Sequence, residues 1–232
     1  MSHRLSLQQV LEKAPWYVAL QTQDQELVQR TSSENLFAAD GFIVRVGDPS
    51  THWIGVVEGL LQMTVVTSDG RETTLSCVGE GQWCGEGSLL KRERRRYDAI
   101  ALRTTRIAMV PLETFFHLRD VNIAFNHYLQ DLMNARMSSF IATLEADRLL
   151  GPEQRVAKCI STLCRHMSTA ANMIIYIPQH ELALICGLSR QRTNAALQTL
   201  EQSGYIEVDF KSLKVVNPAG LNAYGTPPNK SA

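Results

Sequence analysis

Residues 177–208, which read IPQHELALICGLSRQRTNAALQTLEQSGYIEV, constrain the fold of this chain more than any other stretch. Pro178 can begin a helix, and Gly187 permits a sharp turn after it. Leu188 fills the angle between two helices, and Ser189 caps the second one. The apolar residues that face inward are Leu182, Ala183, Cys186, Ala196, Leu197 and Leu200. The stretch therefore predicts a helix-turn-helix.

The first turn of the second helix carries basic and amide side chains. Such side chains suit the phosphates and base edges of DNA, so we expect this turn to enter the major groove. The strands YIEVDF and LKVVN follow and predict a basic wing that contacts backbone phosphates. The predicted DNA-binding residues are Ser189, Arg190, Gln191, Arg192, Asn194, Lys211 and Lys214. The alternative is a purely structural helix pair with a polar rim.

The segment from Pro111 to Leu150 has no helix breaker and predicts one long helix. Its apolar and small residues recur at steps of three and four, which is typical of a coiled-coil seam. The predicted seam against a second copy of the chain is Phe125, Tyr128, Leu132, Ala135, Ser139, Ala142, Ala146 and Leu149. A second stripe beside it is Leu129, Met133, Met137, Phe140 and Leu144. The alternative is one broad apolar face against a single core.

Short runs between Leu36 and Val110 alternate apolar and polar residues, among them FIVRV, WIGVV and ETTLSCV. Glycine and aspartate turns separate these runs, and Asp69-Gly70 is a strong hairpin signal. Many short strands at this spacing predict an antiparallel sandwich or barrel. The residues before Leu36 instead predict helices, with Thr22 as a candidate N-cap.

The composition favours a soluble, cytoplasmic protein of two domains. The chain has 232 residues, of which 44% are hydrophobic, and no apolar run is long enough to cross a bilayer. Its five cysteines show no zinc-ligand spacing, and scattered thiols are typical of a reducing compartment. The alternative for Cys77 and Cys84 is a redox pair. The sequence shows no nucleophile–base–acid set, so we expect neither catalytic residues nor a metal site.

Taken together, these motifs resemble the CRP/FNR superfamily of bacterial transcription regulators. The resemblance rests on the glycine turns of residues 46–90, on the long helix and on the winged helix-turn-helix. It implies an α+β fold with an N-terminal antiparallel β-roll of the jelly-roll type in residues 1–119. A long dimerisation helix in 120–150 and a DNA-binding domain in 151–232 complete the implied fold. The resemblance also implies a small-molecule effector in the roll, a homodimer, and RNA polymerase as a partner.

A basic run, KRERRR at residues 91–96, follows a Gly85-Glu86 turn. In family members that bind a cyclic nucleotide, such a turn opens a short helix that holds the ribose and phosphate, and a later arginine pairs the phosphate. The effector-binding residues that the resemblance implies are Gly85, Glu86, Ser88, Arg96 and Tyr97. Cyclic AMP is one candidate effector, although Tyr97-Asp98 replaces the usual small hydroxyl residue and alanine. The side chains expected in a solvated loop are Lys91, Arg92, Arg94 and Arg95.

The function that the sequence favours is a ligand-responsive transcription regulator that binds a double-stranded DNA operator as a homodimer. The alternative is a module that binds a nucleotide-like ligand and acts through a protein partner. Specific binding to genomic DNA at moderate salt separates the two functions, because only an operator survives both salt and competitor DNA.

Overall fold

A computed structural model describes residues 6–166, 173–209 and 212–226 of the chain. The chain divides into two compact units. The N-terminal unit contains Met1–Val65 and Cys77–Ser138, and the C-terminal unit contains Val66–Ser76 and Ser139–Ala232. The division at Ser138 lies inside the long helix. The domain limits at residues 119 and 150 stay predictions.

The described residues form helices and strands in a mixed order. The elements as far as the long helix are α1 (Leu7–Leu11), α2 (Pro15–Val18), α3 (Thr22–Thr31), β1 (Ser33–Phe37), β2 (Phe42–Val44), β3 (His52–Glu58), β4 (Leu60–Val66), β5 (Glu72–Gly79), β6 (Trp83–Cys84), α4 (Glu86–Leu90), β7 (Asp98–Ala101), β8 (Thr105–Pro111), α5 (Leu112–Val121) and α6 (Ile123–Leu149). The elements after it are α7 (Pro152–His166), β9 (Ile174–Tyr176), α8 (Gln179–Cys186), α9 (Arg190–Gln202), β10 (Ile206–Val208), β11 (Ser212–Val215) and α10 (Pro218–Tyr224). Of the helices in the described part of the chain, none combines the length and the apolar character needed to cross a bilayer.

Eight short strands form the predicted antiparallel roll. They make two four-stranded sheets with the orders β1-β8-β3-β6 and β2-β7-β4-β5. The longest pairing joins β3 to β8 and places Ile54 opposite Met109. Both sheets contribute to one hydrophobic core, whose buried residues are Ile43, Ile54, Val56, Leu61, Met63, Val78, Cys84, Ala99, Ala101 and Ile107. The prediction of an antiparallel sandwich or barrel is confirmed.

The hairpin predicted at Asp69-Gly70 is also confirmed. The Thr67 amide donates a hydrogen bond to the Arg71 carbonyl oxygen at 2.8 Å, which closes the turn between β4 and β5. Gly70 has a φ of +80°, a conformation that costs glycine little because it has no Cβ.

A cluster of aromatic rings forms a second core in the N-terminal unit, where the helices pack against the roll. Trp53 and Trp83 lie with ring centroids 4.5 Å apart, and Trp16 from α2 lies 4.9 Å from Trp83. Phe115 and Phe125 extend the cluster, each at 5.6 Å from Trp53. Because large rings bury much apolar area, this cluster fixes α2, α5 and the start of α6 on the roll.

Two helix predictions need correction. The first helical region is three short helices, and the N-cap of α3 is Gln21 rather than Thr22. The long helix expected from Pro111 to Leu150 is broken at Asn122, which has an extended backbone with φ −118° and ψ 109°. The Asn122 side chain accepts a hydrogen bond from the Phe125 amide at 2.9 Å. Asparagine breaks the helix because its side chain competes for backbone groups and caps a new helix.

Helix α6 packs part of the predicted dimer seam against its own chain. Phe125 is fully buried in the aromatic core of its own chain, so its assignment to the seam is wrong. Tyr128 and Leu132 pack partly against the same core, and Ala146 is buried as well. The large apolar side chains that α6 leaves exposed are Ile123, Met133, Met137, Phe140, Ile141, Leu144 and Leu149. Only Leu149 of these belongs to the predicted seam.

The C-terminal unit contains the predicted helix-turn-helix and a small sheet. Helices α8 and α9 pack beside α7, and β9, β10 and β11 form a three-stranded antiparallel sheet in the order β10-β11-β9. In the hairpin, Ile206 lies opposite Val215 and Val208 lies opposite Leu213. The buried residues confirm the predicted inner faces of both helices, since Leu182, Ala183, Cys186, Ala196, Leu197 and Leu200 all belong to the core.

Candidate functional site

The turn between α8 and α9 depends on a left-handed glycine. Gly187 has a φ of +60° and ends α8, and the Leu188 amide then donates to the Ala183 carbonyl oxygen at 3.0 Å. This hydrogen bond is typical of a helix that ends with glycine. Arg155 of α7 supports the same turn, because its Nη2 donates to the Cys186 carbonyl oxygen at 2.6 Å. The turn therefore has a fixed geometry.

Helix α9 begins with the predicted cap. The Ser189 hydroxyl accepts a hydrogen bond from the Arg192 amide at 3.3 Å, and Thr193 is fully buried one residue later. The side chains that the first turn leaves exposed are Arg190, Gln191, Arg192 and Asn194. Neither arginine forms an ion pair within the described residues. A rigid helix start thus presents two guanidinium groups and two amides to solvent.

The predicted wing is the hairpin of β10 and β11. Lys214 lies on β11, where its Nζ is 2.9 Å from a carboxylate oxygen of Glu207 on the paired strand. Lys211 lies outside the residues that the structure describes. The structure therefore brings Lys214 into a cross-strand ion pair, and both partners are exposed.

The residues implied for an effector meet at the junction of β6 and α4. Gly85 has a φ of +92° and precedes Glu86, which is 3% exposed and begins α4. Ser88 in the same helix is buried too. The Nε of Arg136 on α6 lies 2.8 Å from the Glu86 carboxylate, and its Nη2 donates to the Trp83 carbonyl oxygen. Arg136 was not identified from the sequence, because no motif surrounds it on α6.

The arginine that lies beside Gly85 is Arg95 rather than Arg96. Arg95 is 2% exposed, and its Nη1 donates to the Gly85 carbonyl oxygen at 3.1 Å while its Nη2 donates to that of His52. The expectation that Arg95 lies in a solvated loop is therefore wrong. Arg96 is exposed and lies 3.0 Å from the Glu93 carboxylate. Its role at an effector stays a prediction.

The other members of the basic run do lie at the surface, as expected. Lys91, Arg92 and Arg94 are exposed. The Arg92 guanidinium stacks over the Phe116 ring at 4.4 Å, and Arg94 donates to the Gly47 carbonyl oxygen at 2.6 Å. The loop therefore keeps most of its charge near the surface and sends one arginine inward.

Neutral side chains surround Glu86, Arg95 and Arg136. Burial raises the pKa of the Cys84 thiol to about 11 and that of the Tyr128 hydroxyl to about 12. Burial also raises the pKa of Tyr97, which packs partly against the core of the roll. The side chains of Cys84, Tyr97 and Tyr128 are therefore neutral at neutral pH.

Comparisons with known proteins match two successive domains of the chain. A family model for the cyclic nucleotide-binding domain matches residues 34–122, and one for the Crp-like helix-turn-helix domain matches residues 154–224. Together these matches cover more than half of the chain. Their order along the chain is that of the two units described above.

Individual relatives extend the likeness across most of the chain. The "Cyclic AMP receptor protein" of Thermus thermophilus is 25% identical over 211 residues, which cover 91% of this chain and 96% of that protein. The "cAMP-activated global transcriptional regulator Vfr" of Pseudomonas aeruginosa is 23% identical over 186 residues, or 77% of this chain and 87% of that protein. The structure of FixK2 from Bradyrhizobium japonicum has a TM-score of 0.75 at 16% identity, with coverage of 85% and 99%. The chain belongs to the CRP/FNR family of transcription regulators.

Proposed function

We propose that this chain is a ligand-responsive regulator that binds operator DNA as a homodimer and holds a small-molecule effector in its roll. The exposed first turn of α9 carries the proposal, because its side chains project from a helix start that is capped by Ser189 and anchored by buried Thr193. The Crp-like helix-turn-helix match supports double-stranded DNA as the partner.

The exposed side chains of α9 are suited to form hydrogen bonds with base edges in the major groove. Arginine pairs best with guanine in the major groove, whereas glutamine and asparagine pair best with adenine. Arg190, Arg192 and their amide neighbours occupy the first five residues of α9, the part of a recognition helix that reaches the bases. On the wing, Lys214 would exchange the Glu207 carboxylate for a backbone phosphate, since both groups are exposed.

The homodimer is best supported by the exposed stripe of α6. Met133, Met137, Phe140 and Leu144 follow one another by four, three and four residues, and each is about half exposed. This spacing is that of a helix–helix seam, and a second copy of the same helix would cover it. These residues are the later members of the second stripe found in the sequence, whose first member, Leu129, is buried in the aromatic core. The seam residues Ala135, Ser139, Ala142 and Leu149 would lie beside the exposed stripe rather than at its centre.

The effector proposal rests on the cyclic nucleotide-binding domain match and on the polar residues at the start of α4. The Thermus thermophilus relative is a cyclic AMP receptor protein by name, which makes cyclic AMP one candidate effector here. Gly85, Glu86 and Ser88 would contact the effector, with Arg96 and Tyr97 as further candidates. RNA polymerase is the partner that family membership adds at a promoter.

Selection of genomic fragments followed by gel shifts at a stated salt concentration tests the DNA proposal. We expect Arg190→Ala to weaken operator binding about 5- to 150-fold, because one good arginine–base pair contributes about 1–3 kcal/mol. Gln202→Ala, at the exposed far end of the same helix, is the matched control and should bind as wild type does. Equal binding by wild type and Arg190→Ala, or no genomic site preferred over random DNA, would contradict the proposal.

Analytical ultracentrifugation tests the dimer. Leu144→Glu places a charge in the middle of the exposed stripe and should shift the chain toward monomer. Glu145→Gln, one residue away and off the stripe, should leave the dimer intact. A Leu144→Glu protein that sediments as wild type does would place the dimer interface elsewhere.

A further inference from the structure

A cavity lies between helix α3 and the end of helix α5 in the N-terminal unit. Its volume of about 430 Å³ falls within the range of about 300–1,000 Å³ that is typical of small-molecule sites. Asp24, Leu27 and Arg30 of α3 line it together with His117 and Val121 of α5, and amide side chains complete the lining. These residues lie outside the junction of β6 and α4. We call this cavity the α3–α5 pocket.

Asp24 gives the α3–α5 pocket a carboxylate that is only 14% exposed. Its Oδ1 lies 3.1 Å from Nε2 of His117, and its Oδ2 lies 3.5 Å from Nδ2 of Asn122. Within the described residues, no lysine or arginine forms an ion pair with Asp24. An ionised carboxylate has about four acceptor positions, so Asp24 can accept further hydrogen bonds from a ligand.

The orientation of the Asp24 carboxylate is fixed by the break between α5 and α6. The Oδ1 of Asn122 accepts a hydrogen bond from the Phe125 amide at 2.9 Å, and Phe125 is fully buried in the aromatic core. Asn122 is therefore held on the α6 side while its Nδ2 faces Asp24. A binding group that is already held in place loses less conformational freedom when a ligand binds. The carboxylate is thus prepared for a cationic partner.

The α3–α5 pocket also contains a cation and an apolar surface. Arg30 is exposed and forms no ion pair within the part of the chain that the structure describes, so it does not pair with Asp24. Leu27 is half-buried, and Val121 is 60% exposed although it is large and apolar. A ligand that carries both charges and an apolar group would contact all four side chains.

We propose that the α3–α5 pocket binds a small α-amino acid with an aliphatic side chain. The ammonium group of the ligand would donate to Asp24, and its carboxylate would accept from Arg30. The aliphatic side chain would lie against Leu27 and Val121, which removes apolar surface from water. This site is separate from the effector site of the roll. The inference goes beyond the proposed function and does not depend on it.

Calorimetric titration of the full-length protein with L-leucine and two of its analogues tests the chemistry. Isopentylamine keeps the ammonium group and lacks the carboxylate, whereas 4-methylpentanoate keeps the carboxylate and lacks the ammonium group. We expect L-leucine to bind at least about 10-fold more tightly than either analogue, because each analogue loses one charge-assisted hydrogen bond. Equal affinity of L-leucine and one analogue, or no binding of L-leucine, would overturn the proposal.

Two variants test which residue pairs with which charge. Asp24→Asn should weaken binding of L-leucine about 10-fold and leave the affinity for 4-methylpentanoate unchanged. Arg30→Gln should weaken binding of L-leucine by a similar factor and leave the affinity for isopentylamine unchanged. Glu26→Gln, exposed on the same helix and outside the lining of the pocket, is the matched control and should bind as wild type does. If both Asp24→Asn and Arg30→Gln keep the wild-type affinity for L-leucine, the assignment is wrong.

A measurement on the wild-type protein protects the test against a variant that does not fold. The side-chain amide signal of Asn122 in an NMR spectrum should shift when L-leucine is added, because Asn122 lines the pocket. An unshifted signal at saturation would place the bound amino acid elsewhere and overturn the proposal. Parallel gel shifts separate this inference from the proposed function. Specific DNA binding without L-leucine binding refutes the pocket alone, whereas L-leucine binding without specific DNA binding refutes the proposed function alone.

Discussion

The two arginine-rich parts of the molecule use their charges differently. In the loop of residues 91–96, four arginines find partners within the chain, namely an aromatic ring, backbone carbonyl oxygens and a carboxylate. In the first turn of α9, Arg190 and Arg192 are exposed and form no ion pair within the part of the chain that the structure describes. The same residue type therefore contacts groups of its own chain in one unit and stays available for a partner in the other.

This difference explains how a chain with no net charge can still bind a polyanion. A charge that already has an internal partner gains less from a phosphate than a solvated one does, because the first interaction must be given up. A solvated guanidinium on a rigid helix has only water and counterions to release. The number of basic residues in a stretch is thus a poorer guide to DNA binding than the number without an internal partner.

The largest expected effect on stability comes from replacing Arg106, a buried arginine with carboxylate partners. Arg106→Gln should lower the free energy of unfolding by about 2 kcal/mol, between the values for a fully buried and a surface ion pair, because Glu34 and Glu58 are partly exposed. Urea denaturation at pH 7 measures the change. Arg96→Gln is the control, and its unfolding midpoint should match the wild type. An unchanged midpoint for Arg106→Gln would show that the ion pairs of β8 do not stabilise the roll.

A substitution in α9 tests whether an exposed arginine contributes to DNA binding without contributing to stability. Arg192→Gln should leave the free energy of unfolding within about 0.5 kcal/mol of wild type, because the side chain is exposed and unpaired within the described residues. It should also lower the slope of log binding constant against log salt by about 1 if Arg192 contacts a phosphate. Fluorescence anisotropy over a salt series measures that slope. A destabilised protein with an unchanged slope would make Arg192 structural.

The smallest expected effect is a dependence on pH near Arg95. Burial lowers the pKa of His52 below 6.5, and the charge of Arg95 lowers it further, while Glu113 acts in the opposite direction. The unfolded chain therefore binds more protons than the folded chain below pH 6.5. This contribution to stability is complete above about pH 6.5 and is lost as the pH falls toward the lower pKa of the folded state. Thermal unfolding from pH 5 to 7.5 should show this loss in wild type and less of it in His52→Gln. Equal pH dependence in the two proteins would rule out His52 as its source.

The helix-turn-helix could be predicted closely because its determinants are local. Gly187, Leu188 and Ser189 act on neighbours within a few residues, and the buried positions of α9 follow from helical spacing. The sequence determinants of the strands and of the hairpin at Asp69-Gly70 are equally local. The start of α4, with Gly85 and Glu86, was found through the family resemblance, and the structure buries Glu86 there.

Features that depend on tertiary contacts could not be predicted in the same way. The spacing of α6 identified two apolar stripes, but only the packing of Phe125 against Trp16 and Trp53 decides which stripe is internal. The break at Asn122 is hard to predict from the sequence, because asparagine also occurs within helices. The burial of Arg95 could not be predicted from the basic run, because it depends on hydrogen bonds to the carbonyl oxygens of Gly85 and His52.

The aromatic core has a practical consequence for anyone who observes this protein by its intrinsic emission. All three tryptophans of the chain, Trp16, Trp53 and Trp83, lie in that one cluster, and residues 139–232 contain none. Tryptophan fluorescence therefore reports on the folding of the N-terminal unit and does not report on α8 or α9. A denaturation curve followed at the tryptophan maximum would miss an earlier unfolding of α9, which the Tyr205–Tyr224 pair or circular dichroism would detect.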